Sequence, residues 1–136
     1  MTKKILVMVG MTENNYSAHV FVGEGIAVAT GKTFDELKNQ MAEAVEFQLE
    51  GMREDKDEIP PKFQSDYELV YQFDSESLLR HYNGIFTNAA LERLTGINQR
   101  QLQRYATGVS KPRKEQAKKI EEALHNLGKE LLAVEL

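Results

Sequence analysis

The chain of 136 residues is 41% hydrophobic and 28% charged, carries a net charge of −4 and contains no cysteine. That length holds one ordinary domain or two small ones, and no apolar run is long enough for a membrane-spanning helix. Disulfides and thiolate metal sites are excluded, which suits a cytoplasmic protein.

The opening MTKKILVMVG sets two lysines before a short apolar stretch. Ile5 to Val9 is too short for the core of a signal peptide and no small-residue cleavage site follows, so Lys3 to Val9 reads as a buried strand. Met11 to Asn15 is a turn. Tyr16 to Val22 alternates, with Tyr16, Ala18, Val20 and Val22 set against Ser17, His19 and Phe21, as a half-buried strand does. Glu24-Gly25 turns the chain into a third strand, Ile26 to Thr30, which Gly31-Lys32 ends. Thr33 with Glu36 three residues on forms a capping box that opens a helix. The helix is expected to run to about Met52, with Gly51 fraying its end. Leu37, Met41, Ala44, Val45, Leu49 and Met52 make one apolar stripe along it, facing a sheet. Arg53 to Glu58 is a charged run, of which Glu54 to Glu58 reads as a solvated loop, Ile59-Pro60-Pro61 stops any helix, and Tyr67 to Phe73 returns as a strand. Residues 1–74 therefore read as a β-β-β-α-β unit.

Residues 75–136 read as all-α, which makes the fold class α+β. A first helix lies near Glu76 to Tyr82. After the stretch Thr87 to Gly108 comes a loop through Pro112 and a long amphipathic helix with Ala117, Ile120, Leu124 and Leu127 inward. Gly128 is expected to interrupt that helix and Lys129 to Leu136 to add a final short one.

The stretch TNAALERLTGINQRQLQRYATG, from Thr87 to Gly108, spells a helix, a tight glycine-containing turn and a short polar helix. Leu91, Leu94, Ile97, Leu102 and Tyr105 turn inward together, and Asn98 suits the N-cap of the second helix. Gln99, Arg100, Gln103 and Arg104 then share the face opposite Leu102. Gln and Arg pair bidentately with adenine and guanine edges in the major groove, where the second helix of a helix-turn-helix lies. The plainer alternative is a small helical bundle with a solvated polar face. Lys111, Arg113 and Lys114 follow, stiffened by Pro112. Basic residues at a helix start oppose the helix dipole, so a use outside the fold is expected, as phosphate contacts.

Charge is divided along the chain. Residues 1–74 carry 7 Lys/Arg against 14 Asp/Glu, whereas residues 75–119 carry 9 against 3. Positive charge is thus concentrated where a polyanion would be bound, and the acidic half suits a basic partner.

Together the two halves resemble the HicB family of bacterial antitoxins. The first resembles that family's partial RNase H-like domain through the helix Thr33-Phe34-Asp35-Glu36-Leu37 onward, with Ala42-Glu43-Ala44, Leu49-Glu50 and Glu58-Ile59-Pro60. The second resembles a Cro/Xre-type helix-turn-helix through Leu91, Gly96-Ile97, Asn98-Gln99, Leu102, Arg104-Tyr105, Gly108 and Lys111-Pro112. Two positions depart from the pattern: Glu92 stands where the motif usually has a small residue, and Gly23-Glu24-Gly25-Ile26 replaces a frequent PxLPGC-like run. The resemblance implies that the first domain neutralises a small basic ribonuclease toxin of the HicA kind. It implies that the second binds double-stranded operator DNA and represses the operon. Gln99, Arg100, Gln103 and Arg104 are then base contacts, and Thr107, Lys111, Arg113 and Lys114 phosphate contacts. A homodimer or higher homo-oligomer is expected, joined by the last helix (Leu127, Leu131, Leu132, Val134), by the first-domain sheet, or by both.

An RNase H-like fold raises the question of catalysis. That chemistry clusters carboxylates around divalent metals, and the strand Lys3 to Val9 has none. Glu36, Glu43 and Glu50 recur every seven residues opposite the apolar stripe, as a solvated or toxin-binding face. His19, His81 and His125 are far apart, with no metal-ligand spacing. No enzyme activity, metal or cofactor is expected. Two rival readings are a ligand-sensing transcriptional regulator, with a pocket between sheet and helix, and an enzyme acting on nucleic acid.

Overall fold

Alternating apolar residues lay three strands side by side in a computed structural model, which describes residues 2–136. Strands β1 (Lys3–Met11), β2 (Tyr16–Val22) and β3 (Gly25–Gly31) form an antiparallel meander. Helix α1 (Phe34–Glu54) crosses the sheet and a 3-10 turn at Pro61–Phe63 leads into β4 (Tyr67–Phe73), which pairs parallel to β1. The sheet order is β3-β2-β1-β4. After it come helices α2 (Ser75–His81), α3 (Asn88–Thr95), α4 (Gln99–Ala106) and α5 (Lys114–Leu132), with a 3-10 turn at Tyr82–Gly84. The fold is mixed α+β, with a four-stranded sheet and five helices among the described residues. The chain separates into two units, Met1–Asp74 and Ser75–Leu136. No helix among the described residues is long and apolar enough to cross a membrane.

In the first unit α1 covers one face of the sheet. Leu37, Met41, Val45 and Leu49 are fully buried against Ile5, Val7, Val9, Ala18, Val20, Val22, Ala27 and Ala29. Each such aliphatic side chain contributes about 1.5–3 kcal/mol on leaving water. An aromatic group closes one end, where Phe34 meets Tyr71 edge-on with ring centroids 5.5 Å apart and Phe73 at 5.2 Å. Thr33 caps α1, its hydroxyl accepting from the Glu36 N–H at 3.1 Å. The reciprocal arm of the expected capping box is shifted by one residue: the Glu36 carboxylate accepts from the Lys32 N–H, at 3.3 Å.

Several expectations need correction. β1 is not buried on both faces, because α1 covers only one side and leaves Leu6 and Met8 exposed on the other. α1 does not fray at Gly51. It continues through Arg53 and Glu54, into the run read as a loop, and ends where Lys56 takes a left-handed conformation (φ 58°). There the Lys56 N–H donates to the Arg53 carbonyl and the Asp57 N–H to the Met52 carbonyl, which closes the helix in the Schellman manner. Hydrogen bonding, not the nearest glycine, sets this end. Gly128 likewise lies inside α5, which runs unbroken to Leu132, so no separate final helix forms. Leu94 faces solvent rather than the core.

The core of the second unit consists of Leu79, Leu91, Ile97, Leu102, Tyr105 and Ile120, with Phe86, Ala106 and Leu124 packed against it. α4 lies against both α2 and α3, and α5 returns to α3.

Candidate nucleic-acid interface

The turn between α3 and α4 is built by one glycine. Gly96 closes α3 at φ 77°, a conformation that costs an L side chain about 1–2 kcal/mol, and its N–H donates to the Glu92 carbonyl at 2.8 Å. Ile97 then plugs the core, and the Asn98 carboxamide accepts from the Arg100 N–H at 2.8 Å to cap α4. With Leu102 and Tyr105 turned inward, the helical period leaves Gln99, Arg100, Gln103 and Arg104 outward, and all four are exposed.

These four side chains are not equivalent. The Gln99 Nε2 donates to Glu92 Oε2 at 3.2 Å, and the Gln99 N–H lies 3.4 Å from Glu92 Oε1. Glu92, the residue out of place in the expected pattern, thus bridges α3 to the first turn of α4. A carboxylate there also suits the partial positive charge of a helix N-terminus. The Gln103 Oε1 accepts from Asn88 Nδ2 at 2.8 Å. Reading adenine takes both the donor and the acceptor of an amide. Gln99 keeps its oxygen and one N–H, and Gln103 its NH2 group and one lone pair, so the internal bonds fix the orientation of each amide without using up its donor–acceptor pair. Among the described residues no ion pair engages Arg100 or Arg104. Their guanidinium groups are the unrestricted donors of this face.

At the far end of α4 the Thr107 hydroxyl donates to the Gln103 carbonyl at 2.9 Å. That proton is engaged within the helix rather than turned outward. Gly108 follows at φ 79°, and the Val109 N–H donates to the Arg104 carbonyl at 3.0 Å. Gln101 Nε2 reaches Ser110 Oγ at 3.1 Å and pins the loop to the helix. Lys111, Arg113 and Lys114 emerge from this pinned loop into solvent with Pro112 half-buried between them. Arg113 is the N-cap residue of α5 but makes no side-chain capping bond, so its charge serves no need of that helix.

All eight residues singled out from the sequence are on the surface of one unit. Two contributors escaped sequence reasoning. Asn88 has no signal in spacing, because its contact with Gln103 spans two helices. Glu92 has one, since a long acid at a position of helix crossing invites a partner. In the other unit, Glu36, Glu43 and Glu50 are exposed on α1, as is Glu46. Glu46 accepts the hydroxyl proton of Tyr67. Val28, Ala29, Thr30, Glu36 and Gln40 line a shallow groove at the β3 edge, whereas the layer between α1 and the sheet is filled by side chains. No three His, Asp or Glu side chains among the described residues converge as a metal site would require.

The chain matches no known protein family, no characterised protein and no solved structure.

Proposed function

We propose that the chain is a non-catalytic, cytoplasmic antitoxin of the HicB kind. A β-β-β-α-β unit of partial RNase H-like type neutralises a small basic ribonuclease, and a helix-turn-helix unit represses the operon by binding its operator. The observation that carries the DNA-binding half is the outward face of α4. Arg100 and Arg104 stand there unpaired beside two oriented glutamines, and the basic loop Lys111, Arg113 and Lys114 is pinned to the same helix. Arg100 and Arg104 would read guanine edges, Gln99 and Gln103 would supply oriented amide contacts to bases, and the loop would hold phosphates. The toxin-binding half rests on the acid-rich composition of residues 1–74 and on the exposed glutamates of α1. Two copies would set their α4 helices about 34–36 Å apart on a palindrome.

The test is selection from a random duplex library followed by titration of the enriched site. We expect Arg100→Ala to cost about 1–3 kcal/mol on the selected site and to relax preference at one base pair. Lys114→Ala should weaken selected and random DNA alike and lower the salt slope by about one. Failure to enrich any sequence would reject the repressor reading. Equal losses on both DNAs for Arg100→Ala would remove its base-reading role.

A further inference from the structure

The sheet of the first unit has a second face, and that face is apolar. α1 packs against the side that holds Ile5, Val7 and Val9; the opposite side presents Leu6 (53% exposed), Met8 (37%), Phe21 (68%), Ile26 (46%) and Val28 (63%). Register makes these one patch. Val28, His19, Met8 and Gln72 form a row across all four strands, while Phe21 pairs with Ile26 and Leu6 with Val70. An antiparallel sheet that keeps one face in water normally alternates to polar residues on it. A contiguous apolar patch of several hundred Å² on a small unit marks a surface that is covered in use.

Charge selects what covers it. The unit is strongly acidic, with 7 Lys/Arg against 14 Asp/Glu in residues 1–74, yet this face carries only Lys4 and Glu68 as full charges, paired side by side in the β1–β4 register. A basic partner gains nothing from a balanced apolar face and is drawn instead to the glutamates of α1. Two copies of the same acidic unit repel wherever their glutamates approach, and this face is where they can meet without that repulsion. Sheet faces are also suited to self-association, since two twisted sheets stack about 10 Å apart with interdigitating side chains. A two-fold axis makes one patch its own complement. Five large apolar side chains with a rim of Lys4, Ser17, Thr30 and Gln72 give about 1,000 Å² of buried surface for two copies, the lower bound of a specific interface.

We infer that this open sheet face is the site at which a second copy of the chain docks, giving a four-layer helix–sheet–sheet–helix dimer. The inference rests on the two-copy part of the reading above. It is tested without DNA, so its failure and that of operator binding are read separately. Sedimentation of the full chain across a dilution series should give a dimer. Phe21→Glu combined with Val28→Glu should halve the sedimenting mass at unchanged far-UV circular dichroism, while Glu43→Gln on α1 leaves it dimeric. Because the chain has no cysteine, Val28→Cys supplies a single mild probe. Its thiol should label slowly in concentrated protein and quickly after dilution. A wild-type chain that is monomeric throughout overturns the inference, as does a dimer unaffected by the sheet variants. So does a dimer broken instead by Leu131→Glu with Leu132→Glu on the last helix, or a Val28→Cys thiol equally protected at every dilution.

Discussion

The unusual residues of this chain are those whose polar groups are committed within the fold. Glu92 shows this in the second unit. A carboxylate that looks misplaced in the sequence reaches across the turn, orients Gln99, and leaves Arg100 and Arg104 as the free donors of α4. Tyr67 shows it in the first. Burial above all, then its hydrogen bond to Glu46 and the charge of that carboxylate, push the Tyr67 hydroxyl up to about 12, against a partial lowering by Arg53. Burial also raises Tyr71. The fold favours the protonated phenol. The stabilisation from this contact is therefore complete below pH 10, the ordinary value, and is lost as pH rises toward 12. Absorbance titration of folded protein should show Tyr67 ionising near 12, with Glu46→Gln bringing it part of the way down. All five tyrosines titrating together near 10 would contradict this assignment.

At the scale of elements, the ends of α1 and α5 are decided by carbonyl satisfaction rather than by the nearest glycine, whereas α3 does end at one, Gly96. Gly51 and Gly128 both lie within helices, and a methyl group added at either meets no atom within 4 Å. Lys56 occupies the left-handed position that glycine would fill better. Gly51→Ala and Gly128→Ala should each stabilise the chain by about 0.5–1 kcal/mol, since alanine restricts the unfolded chain and fills only open space. Lys56→Gly should stabilise it by about 1 kcal/mol by relieving the Cβ clash. Gly108→Ala should do the opposite, because its φ is 79° and the new Cβ would meet the Glu76 carboxylate. Chemical denaturation of the four variants checks the set. A destabilised Gly128→Ala would mean that α5 is not one continuous helix. The strands show how far sequence patterning reaches: the alternation of Tyr16–Val22 marks that strand at its observed limits, and Tyr67–Phe73 also begins and ends where the sequence places it. The end of α1 was not legible, because its Schellman bonds depend on backbone geometry at a lysine.

At the scale of the whole molecule, a net charge of −4 conceals two units of unlike charge. A polyanion responds to local rather than net charge, since its condensed counterions are released only where cations approach. The full chain should therefore be retained on heparin at low salt despite its overall acidity. Lys111→Gln, Arg113→Gln and Lys114→Gln together should elute at markedly lower salt. Passage of the wild-type chain without retention would count against a polyanion-binding second unit. The sequence by itself determined the α1 stripe, the core positions of α4 and its Asn98 cap, and the outward set of Gln and Arg, because helical period and capping chemistry act over a few neighbouring residues. Tertiary structure alone decided that Glu92 and Asn88 hold the two glutamines, that Thr107 turns its proton inward, and that one face of the sheet stays uncovered. Those facts depend on which elements meet in space, and periodicity along a chain carries no record of that meeting.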